Sequence, residues 1–267
     1  NGTQPSQFFK GFNSGVGLMI LTDDAGQGLY KTTKVSGVYS YKLKLNDNLN
    51  LKLGLEGSLV RINLNWEKLI FPDQIDPYYG FVLDTKQQRP DNETNRHLDV
   101  SAGILGFTEK FYFGASFHHL TQPDEQFFKE AKLPLKISGQ LGFTVPLGRQ
   151  RIHNELQNYL IPNIVYQHQG TFDQITLSTA FSRGPISGGL GFRTSTANPD
   201  AVVMLLGYAP SDGAWKIGYS YDITVSELSA QSNGAHEISI SVNFDNNPNV
   251  RKRNKAKRYM DCFELYR

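Results

Sequence analysis

Between Trp215 and Phe244 the chain alternates apolar and polar residues with a period of two, and the same pattern recurs from Ser14 onward. Trp215, Ile217, Tyr219 and Tyr221 fall on one face; Lys216, Gly218, Ser220 and Asp222 fall on the other. After the polar stretch Thr224–Ala235 the alternation resumes, with His236, Ile238, Ile240, Val242 and Phe244 opposing Glu237, Ser239, Ser241 and Asn243. A pleated strand sends successive side chains to opposite faces, so this period predicts β-strands with one dry and one wet side. A chain built almost wholly from such units can become a sandwich, an open sheet or a barrel.

Composition narrows the choice. Charged residues make up 19% of the chain, below the roughly 25% of soluble domains. Aromatic residues reach 12%. No apolar run is long enough for a transmembrane helix, which leaves a membrane barrel open, because lipid-facing and wet residues alternate there and mean hydropathy stays low. The one cysteine, Cys262, excludes an internal disulfide framework; its default reading is a bystander thiol. The chain lacks an initiator Met and a secretory apolar segment, and reads as a mature or truncated product.

Taken in order, the pattern predicts twelve strands: 14–22, 31–45, 49–66, 97–107, 111–119, 133–145, 160–168, 172–182, 186–194, 201–209, and the closing pair. In the third, Leu49 to Leu55 keep one phase and Val60 to Trp66 the other, which predicts a β-bulge near Gly57. Glu67–Arg96 has no sustained period, and irregular connections of that length are usually functional. Connections 46–48, 108–110, 183–185 and 210–213 are short, whereas most of those between them are long and polar. Short turns on one side and long loops on the other are the mark of an outer-membrane barrel. Two connections, 169–171 and 148–158, break the alternation. An even strand count places both termini on the periplasmic side.

Several segments resemble the PorP/SprF family, outer-membrane proteins of the type IX secretion and gliding systems of Bacteroidota. They are VSGVYSYKLKLNDNLNLKLGLEG (35–57), FYFGASFHHLTQP (111–123), FSRGPISGGL (181–190), DAVVMLLG (200–207) and the closing KIGYSYDITVSELSAQSNGAHEISISVNF (216–244). The resemblance spans most of Gly15 to Arg267. It implies a transmembrane antiparallel up-and-down β-barrel over residues 1–247, followed by a basic periplasmic tail, 248–267. Family members usually begin with an additional segment; with it, the twelve visible strands would become about fourteen. The resemblance also implies a non-enzymatic role with no cofactor. The implied partners are a secreted adhesin or its C-terminal sorting domain, other secretion components including a periplasmic ring and motor, and outer-membrane lipid or lipopolysaccharide.

Lys42, Lys44, Lys52, Glu56, Lys136, Arg193, Lys216, Asp222 and Glu237 fall opposite the apolar face. Charges facing lipid cost several kcal/mol each near the midplane, so these read as a lumen network of mixed sign; a polar channel for small solutes is the alternative function. Trp66, Phe71, Tyr78, Tyr79 and Phe81, at the edge of or within Glu67–Arg96, and Phe127 and Phe128, within Leu120–Lys132, read as aromatic anchors for a partner. Arg251, Lys252, Arg253, Lys255, Lys257 and Arg258 form a basic cluster that reads as a periplasmic docking tail, with a solvated extension equally compatible and nucleic acid disfavoured. His118 and His119 are adjacent, so strict alternation sends them to opposite faces; packing is preferred to metal binding. His236-Glu237 reads as a structural rim pair. No catalytic or metal-binding motif is present, and no catalytic residue is assigned.

Overall fold

A computed structural model of the chain describes residues 13–125, 127, 131–148, 158–196, 199–210, 214–225 and 234–243. The strands are β1 (Ser14–Ala25), β2 (Tyr30–Lys44), β3 (Asn50–Leu64), β4 (Ile75–Asp76), β5 (Gly80–Phe81), β6 (Thr94–Phe107), β7 (Phe111–His118) and β8 (Lys136–Phe143). They continue as β9 (Val145–Leu147), β10 (Asn158–Gln169), β11 (Phe172–Arg183), β12 (Ile186–Ser195), β13 (Pro199–Tyr208), β14 (Trp215–Thr224) and β15 (Ala235–Val242). The only helical pieces among the described residues are two 3-10 turns, Trp66–Lys68 and Pro72–Gln74. Among the described residues no helix is long and apolar enough to cross a membrane.

One antiparallel sheet runs β1-β2-β3-β6-β7-β8-β10-β11-β12-β13-β14-β15, with β9 paired to β10 and β4-β5 forming a separate hairpin. The twelve strands of the main path coincide with the twelve read from the alternation. Chain neighbours pair with each other, as expected for an up-and-down order. Closure is a different matter. β1 and β15 each have a single neighbour, so among the described residues the sheet is open where the sequence reading expects a closed barrel. Periodicity fixes which side chains share a face; it does not encode which edges meet.

The chain divides into two compact units. The first comprises Asn1–Leu43, Lys52–Gly103 and Phe117–Lys136; the second comprises Lys44–Leu51, Ile104–Ser116 and Ile137–Arg267. In the first, β1 lies along β2 without interruption, Ser14 opposite Tyr41 and Ala25 opposite Tyr30. In the second, unbroken ladders join β10 to β11 and β13 to β14, while the β12–β13 ladder shifts register between Arg193 and Thr194. The short turn after Gln169 holds because Gly170 takes φ +62°, a left-handed geometry that glycine adopts without penalty.

Burial runs opposite to that of a soluble protein. The fully covered side chains include Ser36, Ser58, Asp99, Ser101, Ser182 and Ser187. The exposed ones include Val16, 89% accessible, along with Leu18, Leu59, Leu98, Ile238 and Ile240. Soluble folds bury aliphatic side chains and leave polar ones in water. In β2, β6, β11 and β12 the aliphatic and aromatic face is exposed and the Ser, Gly and charged face is covered, whereas β1, at the sheet edge, is exposed on both. A contiguous exposed apolar surface of this kind calls for a non-aqueous surrounding.

Two sequence expectations are corrected. β3 has no bulge at Gly57: exposure alternates without a slip from Leu53 to Ile62, with Leu53, Leu55, Leu59 and Arg61 outward and Glu56, Ser58, Val60 and Ile62 covered. Hydrophobicity changes face because the covered side itself turns apolar there, Ile62 being 1% accessible. The sixth predicted strand is two elements, β8 and β9, separated at Thr144, whose amide bonds Lys110 O at 2.7 Å, in register with the Tyr112 ring over Gly142.

Candidate functional site

The stretch between β3 and β6 is irregular in sequence but ordered in structure. Trp66 opens the first 3-10 turn, and its ring lies 5.0 Å from that of Phe71, tilted by 44°. Phe71 N donates to Gln74 Oε1 at 2.9 Å, and Gln74 N returns a bond to Phe71 O at 3.0 Å. β4 and β5 then make a minimal hairpin, Ile75 opposite Phe81. Asp76 fixes its turn by accepting from Tyr78 N at 2.8 Å and Tyr79 N at 2.9 Å, an Asx turn. Gly80 at φ +72° completes the reversal.

Further side chains tie the loop to itself. Asp73 Oδ2 accepts from Lys86 N at 2.7 Å and Oδ1 from the Thr85 hydroxyl at 3.1 Å. The Lys86 amide, first among these causes, holds the Asp73 carboxyl below the usual range. Arg89 Nη1 reaches Glu67 Oε1 at 2.9 Å and its Nε bonds Glu93 Oε1, contacts that keep the guanidinium above its ordinary value, the Glu93 bond foremost. Lys68 Nζ donates to Gln27 O.

What the loop presents is apolar. Tyr78 is 91% and Tyr79 81% accessible, with Phe81, Val82 and Leu83 beside them. Of the aromatic residues proposed as anchors, these two tyrosines and Phe81 are displayed at the hairpin tip. Trp66 and Phe71 are half-buried and pack within the loop. Phe127 is half-buried too, edge-on to Tyr30 at 6.5 Å. Phe128 and the basic cluster Arg251–Arg258 lie outside the described residues.

The covered face of the first unit carries a polar network. Lys34 Nζ meets Glu56 Oε1 at 2.7 Å, Ser58 Oγ donates to the same carboxylate oxygen at 2.9 Å, and Ser36 and Ser58 share a bond of 2.9 Å. Asp99, 2% accessible, takes His119 Nδ1–H at 2.9 Å on Oδ2 and the Thr121 hydroxyl at 3.3 Å on Oδ1. The two histidines therefore do not diverge. β7 ends at His118, and His119 adopts φ +60°, which returns its ring to the same face. The rings lie 6.5 Å apart.

In the second unit Arg193 Nη1 bonds Asp222 Oδ2 at 2.7 Å across the intervening strand β13. Glu237 lines a small cleft with Ser220, Ser239, Gly207 and Gly218. His236 sits on the opposite, apolar face, where its Nδ1 is 2.7 Å from Tyr219 Oη and Tyr221 stacks on it at 4.3 Å. His236 and Glu237 thus act apart.

Of the nine charges assigned to the wet face, Glu56, Arg193 and Asp222 enter ion pairs within the sheet. Lys44 instead pairs with Asp47 in the turn, at 2.7 Å and largely exposed. Lys52 is exposed, and Lys42, Lys136 and Lys216 are partly covered. Sequence reading missed Lys34 and Asp99. The signal was available, since His97-Leu98-Asp99-Val100-Ser101 alternates cleanly and puts Asp99 opposite its aliphatic neighbours.

No curated protein matches the chain significantly. A family description, type IX secretion system membrane protein PorP/SprF, matches residues 5–242. The strand-rich fold, the exposed apolar face and, among the described residues, the lack of a long apolar helix fit an outer-membrane protein. The chain belongs to the PorP/SprF family of type IX secretion system membrane proteins.

Proposed function

We propose that this protein is a non-enzymatic outer-membrane barrel that binds a secreted cell-surface protein through the C-terminal sorting domain of an adhesin-type partner. The binding serves export or surface anchoring. The observation that carries this reading is the Ile75–Leu83 hairpin: an apolar tip held rigid by hydrogen bonds and displayed to solvent. A rigid aromatic anchor loses little conformational entropy on docking, which is what makes such residues dominate interfaces.

In this reading the sheet is a scaffold closed in the membrane, its apolar face meets lipid, and the long connections face outward. The tail 248–267 then lies in the periplasm, where its basic cluster meets ring or motor components. The test is co-purification. The secreted partner is recovered from detergent-solubilised envelopes with the unaltered chain. Tyr78→Ala/Tyr79→Ala should reduce its recovery at least tenfold while the protein stays folded and membrane-embedded. Unchanged recovery would remove the hairpin from the interface.

A further inference from the structure

The apolar exposed face of the first unit changes character at one level. β1, β2, β3 and β6 are consecutive neighbours in the sheet. Ile20 stands opposite Val35, and Thr22 opposite Thr33. Leu45 N bonds Leu49 O at 3.1 Å and Ser36 shares a bond with Ser58 at 2.9 Å, which sets β2 against β3. Leu64 N bonds Glu93 O at 2.9 Å and the Thr94 hydroxyl donates to Asn63 Oδ1 at 2.9 Å, which sets β3 against β6. This register aligns Ile20, Val35, Leu59 and Leu98 in one row, all of them exposed. The next row on the same face lies about 7 Å further along the strands. It holds Thr22, Thr33, Arg61 and Arg96. Aliphatic side chains give way to polar ones in a single step.

Within the polar row two cations face each other. The Leu64–Glu93 bond makes Arg61 and Arg96 a non-hydrogen-bonded pair, the closer kind, with Cα atoms about 4.5 Å apart. Both side chains are exposed. Like charges directly opposite on a sheet repel, and a guanidinium cannot shed its proton to relieve the repulsion. No acidic side chain offsets them. Lys31, one row further on, has Asp24 opposite it in register, whereas Arg61 has Thr33 on its other side. β7 ends at His118, short of Arg96. Arg61 directs Nε to Asn63 Oδ1 at 3.2 Å. Its Nη groups and the whole Arg96 guanidinium have no partner among the described residues.

We propose that Arg61 and Arg96 together bind the phosphate group of a membrane lipid, an inference that rests on the membrane reading above. A phosphate supplies the counter-charge that both lack, and its oxygens match the paired donors of a guanidinium. Position selects a lipid over a free anion. Acyl chains lying on Ile20, Val35, Leu59 and Leu98 carry their headgroup to the level of the arginines. The level also suits the charges, since an arginine on a lipid-facing surface is costly at the midplane and nearly free at the interface. The 65–93 loop leaves β3 and enters β6 at this end of the strands, so with the long connections outside, the lipid belongs to the outer leaflet.

The purified full chain in detergent is incubated with phosphatidic acid, and retained lipid is read by native mass spectrometry. Diacylglycerol, which has the same tails and no phosphate, and inorganic phosphate serve as competitors. Phosphatidic acid should be retained and displaced by neither. Arg61→Gln/Arg96→Gln should weaken retention about tenfold or more, the loss expected for hydrogen bonds to a charged group. Lys44→Gln, at an exposed turn, should leave it unchanged. Heat-modified gel mobility reports whether each variant is folded. If the double variant fails to fold, Arg96→Gln alone decides, because that side chain bonds nothing in the fold. Displacement by diacylglycerol or by inorganic phosphate, or equal retention by the unaltered chain and the arginine variant, overturns the proposal. A chain released from envelopes without detergent overturns the membrane reading and this proposal with it. A detergent-requiring chain whose arginine variant retains the lipid unchanged overturns this proposal alone.

Discussion

The two units cover their polar faces in contrasting ways. In the first, long charged and imidazole side chains fill the face and must satisfy one another, as Lys34 does Glu56 and His119 does Asp99. In the second, Ser182, Ser187, Gly189, Gly191, Gly207 and Gly218 leave almost no side-chain bulk, and the Arg193–Asp222 ion pair spans two strand spacings. A Cβ at Gly189 would lie 2.8 Å from Thr179 O and 3.2 Å from Ala180. One face is governed by hydrogen-bond satisfaction, the other by steric room. The same two-residue period underlies both, so the contrast lies in what each side chain meets.

The largest effect should come from filling the second unit. Gly189→Val is expected to destabilise by about 2–3 kcal/mol, the range for overpacking a tight site, read from the denaturation midpoint by gel mobility. Gly54→Val, on the covered side of β3, is the matched control: the nearest atom to its Cβ position is Gly103 O at 3.9 Å, an ordinary contact, and the expected change is within about 1 kcal/mol. Equal losses at both positions would erase the steric half of the contrast.

Next in size is Asp99→Ala. It strips His119 of its acceptor and should cost about 1–3 kcal/mol, the penalty for leaving a covered donor unpaired; Thr121 keeps Leu98 O at 3.2 Å. Arg193→Ala should cost less, about 1 kcal/mol, because the Arg193 and Asp222 side chains keep 29% and 21% of their accessibility and solvent screens part of the loss. A reversed order in the same midpoint measurement would mean that satisfaction matters more in the second unit than in the first.

The smallest effect belongs to the 65–93 loop, outside both faces. The Asp73 carboxyl lies lower in the folded protein than in a free chain, through the Lys86 amide and the Thr85 hydroxyl. A depressed carboxyl contributes stability that is complete above its unfolded value of about 3.9 and fades as pH falls through the folded one. The loop should therefore resist an acid-active protease at pH 5 and be nicked progressively faster below about pH 4. Asp73→Asn should be nicked equally fast at both. A pH-independent rate in the unaltered chain would show that Asp73 does not hold the loop.

Much of the fold was legible because alternation is a local property. Trp215–Tyr221 and His236–Val242 sit on the faces their parity assigns, and the twelve main strands follow the same rule. The failures share a cause. The supposed bulge at Gly57 came from reading a change of environment as a change of phase, since Val60 and Ile62 are apolar and covered together. His119 escaped parity because one residue at φ +60° undoes it. Asp73, Asp76 and Arg89 were invisible as loop-fixing residues, because each bonds a partner that no sequence period relates to it.

By itself the sequence determined which side chains share a face, because pleating ties direction to residue parity. It also determined the order of the strands, because short connections between alternating runs leave chain neighbours as pairing partners. Only the tertiary structure decided the register that brings Lys34 to Glu56, Ser36 to Ser58 and His119 to Asp99. Register depends on where each turn ends and each ladder begins, and a shift of two residues would preserve every face while separating every one of those neighbours.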